Sequence, residues 1–127
     1  MNWKATLVLL VIVVGLGLFV YFQPEGGADK SDAKKVLPKI EGSYDMVFLD
    51  AVKGDYLGYL KSCERLLRAG SVVVADNVKS HAEEVAGYLD YVRNSGRFKS
   101  TYREASSNYR YGAGNSEPDA VEISVML

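Results

Sequence analysis

Four polar side chains in the middle of the chain have the types and spacing of a cation-assisted reaction centre. Asp50 and Asp76 each end an apolar run, Asn77 follows Asp76 directly, and Lys53 stands three residues beyond Asp50. Carboxylate and amide oxygens are the ligands that a hard cation such as Mg²⁺ prefers. A lysine beside such an ion is disfavoured as the ammonium form and can accept a hydroxyl proton.

Each of these residues also has a plainer interpretation. An aspartate at a strand end often caps the following turn, and a lysine at the start of a helix is often simply solvated. Two aspartates that end consecutive strands, with an amide beside one of them, favour a shared site. The reason is that the carboxyl ends of parallel strands meet at one edge of a sheet, where ligands collect.

Strands and helices that alternate along the chain are predicted to position these side chains. Residues 44–50 and 71–76 are apolar runs that end in an acid, which is typical of strands buried on both faces. Apolar residues recur at helical spacing over residues 55–67 and 82–94. A further short helix is predicted over residues 33–40.

The last part of the chain has a different pattern. Apolar and polar residues alternate over Phe98–Glu104 and again over Ala120–Met126, which predicts an antiparallel pair at a sheet edge. The fold class is therefore α/β, with parallel inner strands and a C-terminal antiparallel hairpin.

The N-terminal segment predicts a membrane anchor. Residues 5–22 carry no charge and are long enough as a helix to cross a hydrocarbon core. A cleavable signal peptide is the alternative. The predicted organisation is an anchor at residues 1–23, a linker at 24–32 and a domain at 33–127. Basic residues that follow the span place this domain in the cytoplasm of a single-pass membrane protein.

Composition narrows the class of protein. Fifteen Lys and Arg against 16 Asp and Glu give a net charge of -1, which does not favour nucleic acid as a partner. The single Cys63 has no partner for an internal disulfide, and one histidine, His81, does not make a zinc cluster. A reducing compartment fits this composition.

The string YDMVFLDAVKGDYLGYL, followed by LLRAGSVVVADNV, closely resembles the catechol and caffeoyl-CoA group of metal-dependent, class I O-methyltransferases. The tail DAVEISV is similar to the last strand of that family. The resemblance implies the C-terminal half of a Rossmann-like methyltransferase sheet. The glycine-rich loop and the acid with which the family binds most of S-adenosylmethionine precede the part matched here.

The family also implies roles for individual residues. Asp50, Asp76 and Asn77 would hold the divalent metal, Mg²⁺ or another, and Lys53 would be the catalytic base. Asp50, Ala51 and Val52 would line the pocket of the methyl donor. The predicted function is therefore S-adenosylmethionine-dependent, metal-assisted O-methylation of a small hydroxylated acceptor, with aromatic acceptors as candidates.

Two alternatives follow from the missing cofactor motifs. The chain could be a non-catalytic remnant that acts as a membrane-tethered interaction module, or one half of a split enzyme. Without the preceding strands of the family, residues 46–49 would form an exposed sheet edge, and such edges invite pairing. A homo-oligomer or a partner chain that completes the sheet is therefore expected.

Overall fold

The described residues of the protein form a seven-stranded mixed sheet. The structure is a computed structural model, and it describes residues 8–14, 17–23, 28–29, 37–104 and 118–127, with side chains from residue 37 onwards. The strands lie in the order β3-β2-β1-β4-β5-β7-β6. Their bounds are β1 Val8–Val14, β2 Gly17–Gln23, β3 Ala28–Asp29, β4 Met46–Asp50, β5 Val72–Ala75, β6 Phe98–Glu104 and β7 Ala120–Met126.

Two α-helices follow β4 and β5, namely α1 (Tyr56–Cys63) and α2 (Ala86–Asn94). Short 3₁₀ turns lie at Leu37–Lys39, Lys53–Asp55 and Glu64–Leu66. The helix predicted over residues 55–67 is thus confirmed as α1 with a 3₁₀ extension. The helix predicted from residue 82 begins later, because residues 78–85 form a series of turns. Of the helix predicted over residues 33–40, the described part is the turn Leu37–Lys39, which contains Pro38.

The inner strands are parallel, as predicted. β4 pairs in parallel with β5 on one side and with β1 on the other. β7 runs antiparallel to both β5 and β6, so it is inserted between them. The α/β class and the C-terminal antiparallel pair are therefore confirmed.

One face of the sheet packs against the two helices. Val47, Leu49, Val73 and Ala75 alternate along β4 and β5 and are almost fully buried. The rings of Tyr56 in α1 and Tyr88 in α2 meet edge to face, with centroids 5.8 Å apart. These residues belong to one continuous core.

β7 contributes polar side chains to the same buried face. Glu122 and Ser124 are fully buried, whereas Ile123 and Val125 are half-buried on the other side. Arg93 of α2 neutralises Glu122 through two hydrogen bonds, from Nε to Oε1 and from Nη2 to Oε2, each 2.8 Å long. Ser100 Oγ donates a third, also 2.8 Å long. This network compensates the cost of placing a carboxylate in the core.

The predicted membrane-spanning helix over residues 5–22 is wrong. Val8–Val14 and Gly17–Gln23 are antiparallel strands, with Val14 opposite Gly17. The run VLLVIVV is rich in β-branched residues, and a strand inside a parallel sheet is apolar at every position, as a membrane helix is. Within the described residues, no helix is both long and apolar enough to cross a membrane.

The expectation that residues 46–49 form a sheet edge is also wrong. β1 covers β4 along its whole length, from Val8 opposite Met46 to Ile12 opposite Asp50. The segment interpreted as an anchor therefore supplies the neighbour that β4 was expected to lack.

Candidate active site

Three strand ends meet at one edge of the sheet and define the candidate site. Asp50 is the last residue of β4, and Asp76 follows β5 directly. Asp119 precedes β7, which runs the opposite way, so the start of β7 lies at the same edge. Backbone hydrogen bonds join these ends, from Asp76 N to Leu49 O (2.9 Å) and from Val78 N to Ala120 O (3.0 Å).

Lys53 lies at the centre of this edge. Its Nζ donates to Asn77 Oδ1 at 2.8 Å, to Tyr56 Oη at 2.7 Å and to Asp50 Oδ1 at 3.3 Å. The Lys53 side chain is only 11% exposed, whereas that of Asp50 is 41% exposed. The structure therefore brings Asp50, Lys53 and Asn77 together, as the sequence predicts, and holds the amine in a defined position at the rim of the core.

Tyr56 connects the lysine to the loop that follows β5. Its ring is fully buried, and its hydroxyl donates to the backbone oxygen of Asp76 at 3.0 Å while it accepts from Lys53. Burial raises the pKa of Tyr56 and outweighs the lowering effect of the lysine. The phenol therefore stays protonated at neutral pH and remains a donor to the Asp76 carbonyl.

Asn77 has an unusual backbone conformation. Its φ is +61°, and among the described residues it is the one non-glycine residue with a positive φ. Asparagine tolerates this left-handed region better than most residues, and such conformations concentrate at functional sites. Its N–H donates to Asp76 Oδ1 at 2.8 Å. The sharp turn directs the amide side chain back towards Lys53.

Asp119 closes the site from the opposite side. Oδ2 accepts from Asn77 Nδ2 at 3.0 Å, and Oδ1 accepts from the backbone N–H groups of Lys79, Ser80 and Ala120. Burial alone would raise the pKa of this carboxyl, but the hydrogen bonds from Ser80, Asn77 and the backbone together lower it far below its usual value. Asp119 is therefore ionised at neutral pH.

The donor set is chemically suited to a hard cation. Asp50 Oδ1 and Asn77 Oδ1 already face one positive centre, the Lys53 ammonium, and Asp76 directly precedes Asn77, whose backbone N–H donates to Asp76 Oδ1. No group of three His, Cys, Asp or Glu side chains in the described residues is arranged to hold a metal. The oxygens that this edge offers to a cation are the amide oxygen of Asn77 and the carboxylate oxygens of Asp50 and Asp76.

The predicted cofactor residues lie at the same edge. Ala51 is buried, and Val52 is 51% exposed, which is high for a large apolar side chain. His81 lies outside this group and pairs instead with Glu84, with Nδ1 and Oε1 2.8 Å apart.

Two residues of the site were missed in the sequence. Tyr56 falls within the helical spacing over residues 55–67, which accounts for its burial but does not indicate the role of its hydroxyl. Asp119 stands just before the last strand, and its position there was the available signal. Its contact with Asn77 depends on β7 lying next to β5, which the sequence pattern did not specify.

Comparison with known proteins agrees with this architecture. The sequence profile described as O-methyltransferase matches residues 26–96. Catechol O-methyltransferase B of Danio rerio is 41% identical over 87 residues, which cover 67% of this chain and 30% of that protein.

Solved structures with the same fold also belong to proteins longer than this chain. An O-methyltransferase from Bacillus cereus in complex with SAH has a TM-score of 0.58 and 17% identity, over 75% of this chain and 46% of that chain. TomG of Streptomyces achromogenes, an O-methyltransferase involved in tomaymycin synthesis and solved with SAM, has a TM-score of 0.60 and 22% identity, over 75% and 47%. The chain thus spans less than half the length of these proteins.

Proposed function

Because this chain belongs to the O-methyltransferase family, we propose that it carries the acceptor-activating half of an S-adenosylmethionine-dependent O-methyltransferase. The single observation that carries the proposal is the position of Lys53 Nζ, 2.8 Å from Asn77 Oδ1 and 3.3 Å from Asp50 Oδ1 at the carboxyl edge of the sheet. Small hydroxylated acceptors of the catechol type are the first candidates, supported by the similarity to catechol O-methyltransferase B of Danio rerio.

The catalytic role proposed for Lys53 is that of a base. In its neutral form Nζ would take the proton of the acceptor hydroxyl, which leaves an oxygen nucleophile. Three acceptors hold the ammonium form at one point, and the neutral amine keeps two of these hydrogen bonds and has a lone pair for the proton of the acceptor. Such positioning reduces the entropic cost of reaching the reactive geometry. General base catalysis of this kind typically contributes about 10²–10⁴-fold to a rate.

A divalent cation is proposed at Asp50, Asp76 and Asn77. It would supply Lewis acidity and align the hydroxyl of the acceptor. The half-exposed carboxylate of Asp50 leaves one side of this group open to solvent, as a site that also receives a substrate requires.

The methyl donor is proposed to lie against Asp50, Ala51 and Val52. Bound S-adenosylmethionine would supply an activated methyl group on its sulfonium sulfur. The exposed isopropyl group of Val52 provides apolar surface at this edge, and the SAM-bound and SAH-bound structural neighbours support the choice of donor.

The alternative function is that of a non-catalytic module or half of a split enzyme. The observation that favours it is the β1–β2 hairpin, in which two residues separate antiparallel strands. A phosphate- or ribose-binding loop of a Rossmann-like fold needs a strand followed by a helix, and two residues leave no room for one.

Isothermal titration with S-adenosylmethionine, with and without Mg²⁺, tests the proposal directly. We expect saturable binding and Mg²⁺-dependent transfer of radiolabelled methyl to a catechol acceptor. Lys53→Met should reduce the rate at least about 100-fold. Lys99→Met, an exposed lysine on β6, is the matched control and should retain the parental rate. A folded protein that binds no S-adenosylmethionine would contradict the proposal and favour the alternative.

A further inference from the structure

The amide of Asn77 lies between a cation and an anion. Its Oδ1 accepts from Lys53 Nζ at 2.8 Å, and its Nδ2 donates to Asp119 Oδ2 at 3.0 Å. The two ends of a carboxamide have nearly the same shape and opposite hydrogen-bonding character. Rotation by half a turn would therefore fit the same space but would direct the NH₂ group at the Lys53 ammonium.

The orientation of Asp119 is fixed independently of Asn77. Oδ1 accepts three backbone N–H groups, from Lys79 at 3.2 Å, Ser80 at 3.1 Å and Ala120 at 2.8 Å. Oδ2 is thereby directed at Asn77 and at the Ser80 hydroxyl. A carboxylate oxygen accepts hydrogen bonds and cannot donate them, so it selects the NH₂ end of the neighbouring amide.

We infer that Asp119 is a positioning residue that compels Asn77 to present its oxygen, and not its NH₂ group, to Lys53 and to any cation at this edge. The part of this inference that concerns a bound cation rests on the proposed function. The orientation of Asn77 towards Lys53 does not.

Asp119→Asn tests the inference with little change of shape. The three backbone donors would keep the oxygen of the new amide on their side, so its NH₂ group would face Asn77. Two NH₂ groups in contact are unfavourable, and Asn77 would rotate to offer its oxygen to position 119. Its own NH₂ group would then face Lys53, and the site would lose an acceptor oxygen.

The Asn77→Asp background reverses the expected effect of Asp119→Asn. In that background Asp119 places one carboxylate against another, and Asp119→Asn relieves the contact by donating its NH₂ group. The second oxygen of the new carboxylate at position 77 remains available to Lys53. The effect of Asp119→Asn on the stability of the metal-free protein should therefore have opposite signs in the two backgrounds, whereas a residue without a positioning role would give the same sign in both.

The experiment measures Mn²⁺ affinity by calorimetry and the melting temperature without metal for the parent, both single variants and the double variant. We expect Asp119→Asn to weaken Mn²⁺ binding about 10–100-fold in the parent background. In the Asn77→Asp background Mn²⁺ itself relieves the repulsion between the two carboxylates, so the opposite sign is expected in the stability without metal. The melting temperature without metal should fall in the first background and rise in the second.

The exposed pair on α2 is the matched control. Asn94 Nδ2 donates to Asp90 Oδ1 at 2.8 Å, so Asp90→Asn and Asn94→Asp repeat the same exchange in solvent. These variants should leave Mn²⁺ affinity unchanged.

The outcomes separate the two proposals. Equal signs of the Asp119→Asn effect on the metal-free melting temperature in both backgrounds would overturn the positioning role. If the parent binds no Mn²⁺, the proposed metal site fails, and the melting temperatures without metal decide the positioning role alone.

Discussion

Replacing Tyr56 by phenylalanine removes one oxygen from the core and should destabilise the protein through two hydrogen bonds. The hydroxyl accepts from Lys53 at 2.7 Å and donates to the backbone oxygen of Asp76 at 3.0 Å, in a fully buried position. The phenyl ring would still pack edge to face on Tyr88. The change therefore isolates the polar contribution.

The expected loss of stability in Tyr56→Phe follows from the two hydrogen bonds that the hydroxyl makes. A neutral hydrogen bond contributes about 0.5–1.5 kcal/mol and one to a charged group about 1.5–3 kcal/mol. Lys53 keeps Asp50 and Asn77 as acceptors, so we take the low end of both ranges, about 2 kcal/mol in total. At about 4 °C per kcal/mol for a domain of this size, the melting temperature should fall by about 8 °C.

Two other tyrosines provide matched controls for the same chemical change. The Tyr88 hydroxyl is buried near Ser124, yet within the described residues it has no hydrogen-bond partner of acceptable geometry. Tyr88→Phe should therefore leave the free energy of unfolding unchanged or raise it by up to about 1 kcal/mol. Tyr102 is 40% exposed, and its phenylalanine variant should stay within about 0.5 kcal/mol of the parent.

Thermal and urea unfolding of the three variants, followed by circular dichroism, tests this reasoning. The expected order of stability is Tyr88→Phe at or above the parent, Tyr102→Phe close to it, and Tyr56→Phe clearly below. A Tyr56→Phe variant as stable as Tyr102→Phe would refute the role assigned to the hydroxyl.

Three further predictions concern groups outside the site. Arg93→Met should lower the free energy of unfolding in urea by about 2–3 kcal/mol. This is less than the usual 3–5 kcal/mol for a broken buried pair, because water reaches the half-exposed arginine. The control Arg103→Met, at an exposed arginine, should lower it far less. Burial raises the pKa of Glu122, but the hydrogen bonds from Arg93 and Ser100 lower it overall, so its stabilisation exists above the unfolded pKa of about 4 and is lost as the pH falls. The urea midpoint should drop below about pH 5, and a Glu122→Gln variant with the same drop would contradict this. Burial raises the pKa of Cys63 to about 12. The native thiol should therefore resist Ellman's reagent at pH 8 and react only after denaturation. Rapid labelling of the native protein would count against the burial of Cys63.

The sheet around the site was predictable because its signals are local. The runs that end in Asp50 and Asp76 indicate the two parallel strands, and alternation indicates the exact bounds of Phe98–Glu104 and Ala120–Met126. The polar residues that follow the parallel strands then have to lie at one edge. This is why the types and spacing of Asp50, Lys53 and Asn77 were enough to predict that they lie together.

The N-terminal segment was not predictable from the same signals. An apolar run without a period of 2 or 3.6 residues fits a buried strand and a membrane helix equally well. The high share of valine and isoleucine in Val8–Val14 was the available hint for a strand. Its neighbour in the sheet, β4, is distant in sequence, and no local pattern encodes such a pairing.

The roles of Tyr56 and Asp119 could not be predicted from the sequence for a related reason. Helical spacing accounts for the burial of Tyr56 and says nothing of where its hydroxyl points. The contact of Asp119 with Asn77 requires the last strand to lie beside β5, a choice among several possible strand orders.

The placement of the site on three strand ends has a consequence for folding. β4 takes its neighbour β1 from far upstream, and β5 takes its neighbour β7 from far downstream. Pairings between distant segments are slow to form because loop-closure entropy is lost before any contact is gained. Asp50, Asn77 and Asp119 therefore come together only when β4, β5 and β7 have paired, while α1 and the β1–β2 hairpin depend on contacts close in sequence. A cation or ligand that binds this edge would accordingly act late on the folding pathway, slowing unfolding far more than it accelerates folding.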